Sequence, residues 1–552
     1  MSPPAPLTIA IAQIATGVGD ISANTRRIIN AIHTARDREG ADLVVFPELA
    51  VTGYPPDDLL LRRDFLAAAE AAVAEVAAAS TGITTVVGVP LGYGGGVWNA
   101  AVVLAEGERR AVSHKRRLPS YSVFDDNRHF TAGHAPCLFT CAGRRLAVTI
   151  CEDLWATGPV AEAAAAGAEA VVNINASPFH AGKPEEREAV ALARGAETGL
   201  PIFYANAVGG QDDVVYDGAS FAVDAAGRVA ARAPFMEEAV TVWRLHPDGS
   251  VTGPLPALPE AIPSVYAALV RATRDYVRRN GFEEVVLGLS GGIDSVLVAA
   301  VAADALGPER VQAVMMPTRY TASRSLEDAR KAVDLLGIDY RVVEIEPLFQ
   351  GYLDVLAPWF EGRPVDVTEE NLQSRIRGNL LMALSNKFGR MLLATGNKSE
   401  LAVGYATLYG DMCGGFAPLK DVYKTDVYRL AEYRNCLSPA VPPSVIERAP
   451  TAELRHDQRD EDSLPPYPVL DGILSLYMED DRSEREIVER GFDPAVVERV
   501  VGMLYRNEYK RRQAAPGVKV TRRAFGRDRR YPITSGWRGA ASSESQERER
   551  NA

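Results

Sequence analysis

EVVLGLSGGIDSVLVAAVAAD, residues 284–304, decides the reading of the second half of this chain. The apolar run 284–289 reads as a buried strand, Ser-Gly-Gly-Ile-Asp-Ser at 290–295 as a turn, and 294–305 as a helix rich in Ala and Val. Gly291 and Gly292 let the backbone bend tightly and approach an oxyanion, and the free N–H groups that open the helix point toward negative charge. Ser290 and Ser295 add hydroxyl donors. Asp294 would repel bare phosphate, so its presence asks for a divalent cation between the two. No Lys follows the glycines and the Walker A spacing is missing, which disfavours a GTPase switch or a motor. At this point a Gly-rich turn that holds no ligand stays open as the alternative.

Working outward, helix 264–280 leads in, and strand 311–316, helix 323–336, strand 340–344 and strand 391–394 continue a βαβ rhythm. That rhythm predicts a doubly wound parallel sheet. A Pro- and Gly-rich stretch, 246–263, reads as a linker. Before it, residues 1–245 alternate strands (7–13, 43–46, 84–89, 98–105, 109–114, 146–150, 170–175, 201–205) with helices (22–39 capped by Ser22, 62–79, near 158–166, 184–198). They form a second α/β unit with its own core. The later α/β unit is expected over 264–537, with 456–466 as a mobile loop and the polar stretch 538–552 as a disordered tail.

Composition agrees with two soluble units. The chain has 552 residues, more than one core accommodates, and is 47% hydrophobic and 24% charged. A net charge of −12 argues against a nucleic-acid surface. No apolar run has the ~20 residues of a membrane helix. No secretory signal is visible, and five cysteines make no disulfide framework, so a reducing cytoplasm is expected.

A second chemical motif is Ile-Cys-Glu-Asp-Leu-Trp at 150–155, a strand-to-helix turn that would expose Cys151 beside backbone N–H groups. A cysteine nucleophile acts as a thiolate and needs a base or a positive charge nearby. No His stands in an evident partner motif. Glu48 (Phe-Pro-Glu-Leu) and Lys115 (His-Lys-Arg-Arg-Leu-Pro) lie at other strand ends. Glu48 can take the thiol proton and later activate water, while Lys115 stabilises the anionic tetrahedral intermediate. Taken singly, Cys151 reads as a small buried hydrophobe, Glu48 as a capping acid and Lys115 as a surface charge; their three contexts together overturn this. A zinc set of His129, His134, Cys137 and Cys141 matches no standard spacing. Residue 2 is Ser, so an N-terminal cysteine nucleophile fits worse, and Cys151 lies in no Gly-x-Cys-x-Gly elbow.

The contexts of Glu48, Lys115 and Cys151 resemble the nitrilase (carbon–nitrogen hydrolase) superfamily over roughly residues 7–243. Leu118-Pro119-Ser120-Tyr121 and Ala176-Ser177-Pro178-Phe179 further resemble the glutaminase domain of NAD synthetases. The resemblance implies an αββα sandwich that hydrolyses glutamine, with Tyr121, Ser177 and Lys183 in the glutamine pocket. The sequence departs from the pattern at Asp126, where the family often has Glu, so the reach of that acid is left open.

The 290–295 turn resembles the N-type ATP pyrophosphatases. Thr395-Gly-Asn-Lys-Ser-Glu400, Gly410-Asp411, Lys424, Pro450-Thr451 and Lys510-Arg511 narrow the resemblance, over 264–530, to the NAD synthetase family. It implies that ATP adenylates deamido-NAD. Leu289, Ser290, Gly291, Gly292, Ile293, Asp294, Ser295, Val296, Thr395, Lys424 and Thr451 would then bind ATP, and Asp294 and Glu400 would hold Mg²⁺. Asn371, Arg375, Glu400 and Lys510 would contact deamido-NAD, and the cluster Lys510-Arg511-Arg512 could face phosphates. The residues by themselves leave another acid acceptor, or a free amidase with a regulatory ATP unit, as alternatives. The expected partners are glutamine, ATP and deamido-NAD, with neither nucleic acid nor membrane, in a homo-oligomer.

Overall fold

A computed structural model describes residues 5–537. The expected tail 538–552 lies outside the described residues. The chain divides into two compact units between Glu260 and Ala261.

The first unit is built on the period of two in its central strand. Leu7–Gln13 (LTIAIAQ) sends Ile9 and Ile11 to one face and Ala10 and Ala12 to the other. Ile9 and Ile11 meet Val148, Ile150, Val172, Ile174, Phe203 and Trp243 in a core between two sheets. Ala10 and Ala12 lie under Ile28 and Ile32 of helix Ile21–His33 and Val73 and Val76 of helix Arg63–Ala79. The small residues leave room for helices, and the large ones fill the space between sheets.

The first sheet runs in the order Val251–Thr252, Ala239–Leu245, Leu7–Gln13, Leu43–Val45, Thr84–Tyr93, Gly96–Ala105, Glu108–His114. The second runs Val229–Arg232, Phe221–Val223, Ile202–Asn206, Ala170–Asn175, Arg144–Ile150, Cys137–Cys141. Its outer face packs Ala147, Val171, Ile202 and Tyr204 against Val160 and Ala163 of helix Pro159–Ala165 and Ala191 of helix Lys183–Thr198. Helix, sheet, sheet, helix is the αββα sandwich.

Three local expectations change. Asp20, not Ser22, caps the first helix by accepting from Ala23 N at 3.2 Å, so its carboxylate also faces the positive helix end. The helix continues past His33 as a π-helical turn, Thr34–Arg38. The stretch 246–263 is not bare connection. Val251–Thr252 extends the first sheet through Arg244↔Thr252 and Leu245↔Val251, and the next helix starts at Ala261 with Pro263 in its first turn, where no N–H is needed.

The second unit holds four parallel strands in the order Asp339–Val342, Val311–Met315, Val285–Gly288, Met391–Leu393. Val286, Val314 and Leu392 pack on Phe349, Ile376 and Leu381 from helices Glu346–Phe360 and Val367–Phe388. Helix Ile293–Leu306 is buried around nearly its whole circumference beside helices Ala261–Arg279 and Lys424–Leu437, which explains its Ala and Val content. The sheet is therefore doubly wound. Chain order reverses between Val285–Gly288 and Met391–Leu393, so a crevice opens outside their carboxyl ends. A helical subcore of Leu401, Leu470, Ile473, Leu474, Val500, Val501 and Leu504 completes the unit. The charged segment 456–466 carries an anchored turn, since Asp460 is buried and accepts from the Tyr467 hydroxyl at 2.8 Å.

Candidate active sites

In the first unit the site forms where strands of both sheets end. Glu48 follows Leu43–Val45, Lys115 follows Glu108–His114, Cys151 follows Arg144–Ile150, and Ala176 follows Ala170–Asn175. Glu48, Lys115 and Cys151 are all buried, Lys115 completely. Lys115 Nζ donates to Glu48 Oε1 at 2.7 Å and to Asp126 Oδ2 at 2.6 Å. Asn99 Nδ2 donates to the same Glu48 oxygen at 2.7 Å, and the Ala176 amide to the other at 3.0 Å. Register explains Asn99: Ala100 pairs with His114, so Asn99 lies opposite Lys115. Asp126, despite its shorter side chain, reaches the ammonium and also accepts from the Tyr54 hydroxyl at 3.0 Å.

Two backbone features aim these groups. Cys151 has φ +45° and Leu49, next to Glu48, has φ +47°, a left-handed region that L residues enter at a cost of about 1–2 kcal/mol. Gly88 lies under the Glu48 turn; a Cβ there would sit 2.6 Å from the Pro47 carbonyl oxygen and 2.7 Å from the Glu48 carbonyl carbon.

The electrostatics define the resting state. Burial pushes the Cys151 thiol well above its usual range, Glu48 adds to this, and Lys115 only partly opposes it. Burial by itself would lower the Lys115 ammonium, yet Asp126 and Glu48 outweigh it and hold it well above the ordinary value. The sulfur therefore rests as a thiol, and attack requires a base.

Around this centre, the Tyr121 hydroxyl donates to both Glu152 oxygens at 2.9 and 3.0 Å. Lys183 Nζ lies 4.0 Å over the Trp155 ring and bonds Glu186 at 3.2 Å. Ser177 is buried, its amide donating to Asn206 Oδ1 at 2.9 Å. His129 pairs with Asp58, and no cluster of three or more metal-ligating side chains occurs among the described residues.

In the second unit the crevice at the sheet reversal is a cavity of about 280 Å³. Leu289, Ser290, Gly292, Ile293, Asp294, Ser295, Thr395, Glu400, Lys424 and Thr451 line it. Gly291 and Val296 do not. Val296 is fully buried packing, and Gly291 has φ +78° where a Cβ would come 3.1 Å from the Ser325 carbonyl carbon. Ser295 Oγ lies 3.1 Å from Ser290 Oγ and donates to the Gly292 carbonyl at 2.9 Å, so the loop is held from within.

Lys424 forms ion pairs with Asp294 and, at 3.2 Å, with Glu400. Asn397 donates to Asp294 at 2.9 Å. Burial raises Glu400 to about 8; Lys424 opposes the rise, and Asp294 and Asp460 add to it. One buried ammonium thus faces a surplus of carboxylates. That donor set, two acids with room for phosphate oxygens, fits the habits of Mg²⁺.

Asn371, Arg375 and Lys510 converge on the segment 404–408. Asn371 Oδ1 accepts from Thr407 at 2.6 Å, Arg375 donates to Leu408 O at 3.2 Å, and Lys510 donates to Gly404 O and Ala406 O at 2.9 Å. Arg375 also lines a second cavity of about 500 Å³ with Tyr352, Asn379, Met382 and Tyr409. Arg511 does not face outward; it is buried and donates to Leu401 O and, at 2.6 Å, Ala402 O.

Sequence reasoning missed Asn99 and Tyr54, which touch the acids by register and folding rather than by motif. It also missed Arg377, which lines the cavity of the second unit with its guanidinium lowered by burial to about 10.

Comparison with known proteins follows the same division. Residues 8–249 match the carbon-nitrogen hydrolase family model and residues 265–514 the NAD synthase model. The chain is 51% identical over 542 residues to the glutamine-dependent NAD(+) synthetase of Xylella fastidiosa (strain 9a5c), covering 97% of this chain and 99% of that one. It is 52% identical over 542 residues to the enzyme of the same name from Xanthomonas campestris pv. campestris (strain 8004), covering 97% and 98%. The structure of glutamine-dependent NAD+ synthetase from Acinetobacter baumannii, in complex with ADP, matches with a TM-score of 0.79 at 44% identity over 96% of this chain and 99% of that one. A glutamine-dependent NAD(+) synthetase from Cytophaga hutchinsonii shares the fold, with a TM-score of 0.84 at 22% identity over 98% and 99%.

Gly88→Ala should displace Glu48 and lower glutamine hydrolysis by about 100-fold, the usual cost of an ångström-scale misplacement. Glutamate release measures this; a wild-type rate would separate the close packing at Gly88 from the chemistry.

Proposed function

This chain belongs to the glutamine-dependent NAD(+) synthetase family, and from that premise we propose how its two units divide the reaction. The enzyme hydrolyses glutamine and uses the ammonia to convert deamido-NAD to NAD, with ATP giving AMP and pyrophosphate. The observation that carries the division of labour is the pair of buried lysine–carboxylate centres: Lys115 with Glu48 beside Cys151, and Lys424 with Asp294 and Glu400 in the nucleotide cavity.

In our reading Glu48 removes the Cys151 proton as sulfur attacks the carboxamide carbon of glutamine. Lys115 holds the developing oxyanion, and Asp126 keeps Lys115 charged. The proton passes from Glu48 to the departing nitrogen, ammonia leaves, and Glu48 then deprotonates the water that cleaves the glutamyl thioester to glutamate. Tyr121, Ser177 and Lys183 hold the amino-acid end of glutamine. Neutral ammonia, not ammonium, is the nucleophile that the first reaction hands on to the second.

At the second site, Leu289, Ser290, Gly292, Ile293, Asp294 and Ser295 with Thr395, Lys424 and Thr451 bind ATP, the helix start and the serine hydroxyls meeting its phosphates. Asp294 and Glu400 would hold Mg²⁺, which supplies neutralisation of phosphate charge. Asn371, Arg375, Glu400 and Lys510 orient deamido-NAD so that its nicotinate carboxylate attacks the α-phosphorus. Lys424 meets the pyrophosphate as it leaves. Ammonia then attacks the acyl carbon, and AMP departs as the carboxamide forms.

We also assign the chain to a cytoplasmic homo-oligomer. Supporting this are five cysteines with no disulfide, the absence of any helix among the described residues long and apolar enough to cross a membrane, and an exposed stripe on helix Glu346–Phe360. Leu348, Tyr352, Val355 and Trp359 recur there at helical spacing, with Trp359 82% exposed.

Two variants separate the half-reactions. Cys151→Ala should lose glutamine-driven NAD synthesis and keep synthesis from added ammonia. Asp294→Asn should lose synthesis from either source and keep glutamate release. Loss of both activities in Cys151→Ala, or unaltered synthesis in Asp294→Asn, would remove that residue from its role. Sedimentation of Trp359→Glu should show smaller species than the parent chain; a parent chain that sediments as one copy contradicts the assembly.

A further inference from the structure

The turn that carries Cys151 and the loop that carries Lys115 are joined by one side chain that the mechanism above does not use. Asp153 is 1% exposed. Its Oδ1 accepts from the backbone amides of Arg116 at 2.9 Å and Arg117 at 2.8 Å. Its Oδ2 accepts from the amide of Ile150 at 3.1 Å. We propose that Asp153 is a positioning residue for glutamine hydrolysis, a buried clamp that fixes Lys115 and Cys151 in one mutual register. The inference rests on the reading of those two residues as oxyanion holder and nucleophile.

Each bond has a structural reason. Arg116 and Arg117 have just left strand Glu108–His114, so their N–H groups have no ladder partner and need an acceptor inside the fold. Ile150 ends its strand immediately before the left-handed Cys151, whose conformation must be held against relaxation. Cys151 is therefore bracketed by the two residues, Ile150 and Asp153, that this bond ties together. Lys115 is next to Arg116, the first amide held on the other oxygen. Releasing either oxygen frees one reacting group to move relative to the other.

The chemistry requires a carboxylate. Three N–H donors point at two oxygens, and an ionised acid accepts at both. An amide of the same shape accepts at one oxygen and turns its NH₂ against a donor at the other position, so one loop is released whichever way it is oriented. Asp153 acts through the backbone, its hydrogen bonds going to the amides of Ile150, Arg116 and Arg117.

The test compares Asp153→Asn and Asp153→Ala with the parent enzyme as full-length chains. Glutamate release should fall by about 100-fold in kcat, while KM for glutamine stays within about threefold, because the pocket residues are untouched. Synthesis of NAD from added ammonia should be unchanged. A diazoketone analogue of glutamine that alkylates Cys151 should label every chain, at a reduced rate. An unchanged kcat overturns the inference. So does a rise in KM at constant kcat, which would assign Asp153 to binding. Labelling that stops at a fraction matching the lost activity also overturns it, since the residue would then only keep the unit folded. If Asp153→Ala fails to fold, Asp153→Asn, equal in shape, decides. Cys151→Ala in the same assay keeps the two readings apart: residual hydrolysis there defeats the nucleophile assignment itself, whereas a parent-like Asp153→Asn beside an inactive Cys151→Ala defeats the clamp alone.

Discussion

A fully buried lysine held between two carboxylates organises each unit. Taking an ammonium and two carboxylates out of water is expensive, and the arrangement survives only when every member is compensated by geometry. In the first unit Lys115 lies between Glu48 and Asp126, and the remaining Glu48 lone pairs are met by Asn99 and the Ala176 amide. Removing one partner of such a set typically costs about 3–5 kcal/mol, because the others are left buried and uncompensated. The strand ends, the contact at Gly88 and the left-handed turns at Leu49 and Cys151 are all subordinate to bringing these charges together.

The second unit repeats the motif with the balance altered. Lys424 faces Asp294 and Glu400, with Asp460 nearby, and Glu400 is raised to about 8 by burial and by those acids against the pull of Lys424. The first centre, one ammonium between two acids, is buried and closed. The second has the same ratio, with a third acid, Asp460, nearby, and lines an open cavity beside the 290–295 turn, which in the proposed reading a cation and phosphates complete.

Much of this was legible in the sequence because the signals are local. The alternation in Leu7–Gln13, the Ala and Val content of Ile293–Leu306 and the strand-to-turn positions of Glu48, Lys115, Cys151 and Ser290 depend on neighbours a few residues away. What escaped depends on register or on distant chain. Asn99 reaches Glu48 only because Ala100 pairs with His114, and Asp126 reaches Lys115 because its loop folds back. Arg511 reads as a surface cation, yet it is buried and its guanidinium satisfies carbonyls of Leu401 and Ala402. The Pro-rich stretch after Leu245 hid a two-residue strand, since so short a pairing leaves no periodicity to read. Asp153 gave no signal, because its partners are backbone amides, which every sequence has.

The central claim is that the nitrogen of NAD's carboxamide comes from the side chain of glutamine through the Cys151 centre. The direct measurement incubates the full-length enzyme with deamido-NAD, ATP, Mg²⁺ and glutamine carrying ¹⁵N at its amide, followed by mass analysis of the NAD formed. Label in the carboxamide, lost when Cys151 is replaced, is the predicted result. NAD formed without label, or label that persists without the Cys151 sulfur, would contradict it.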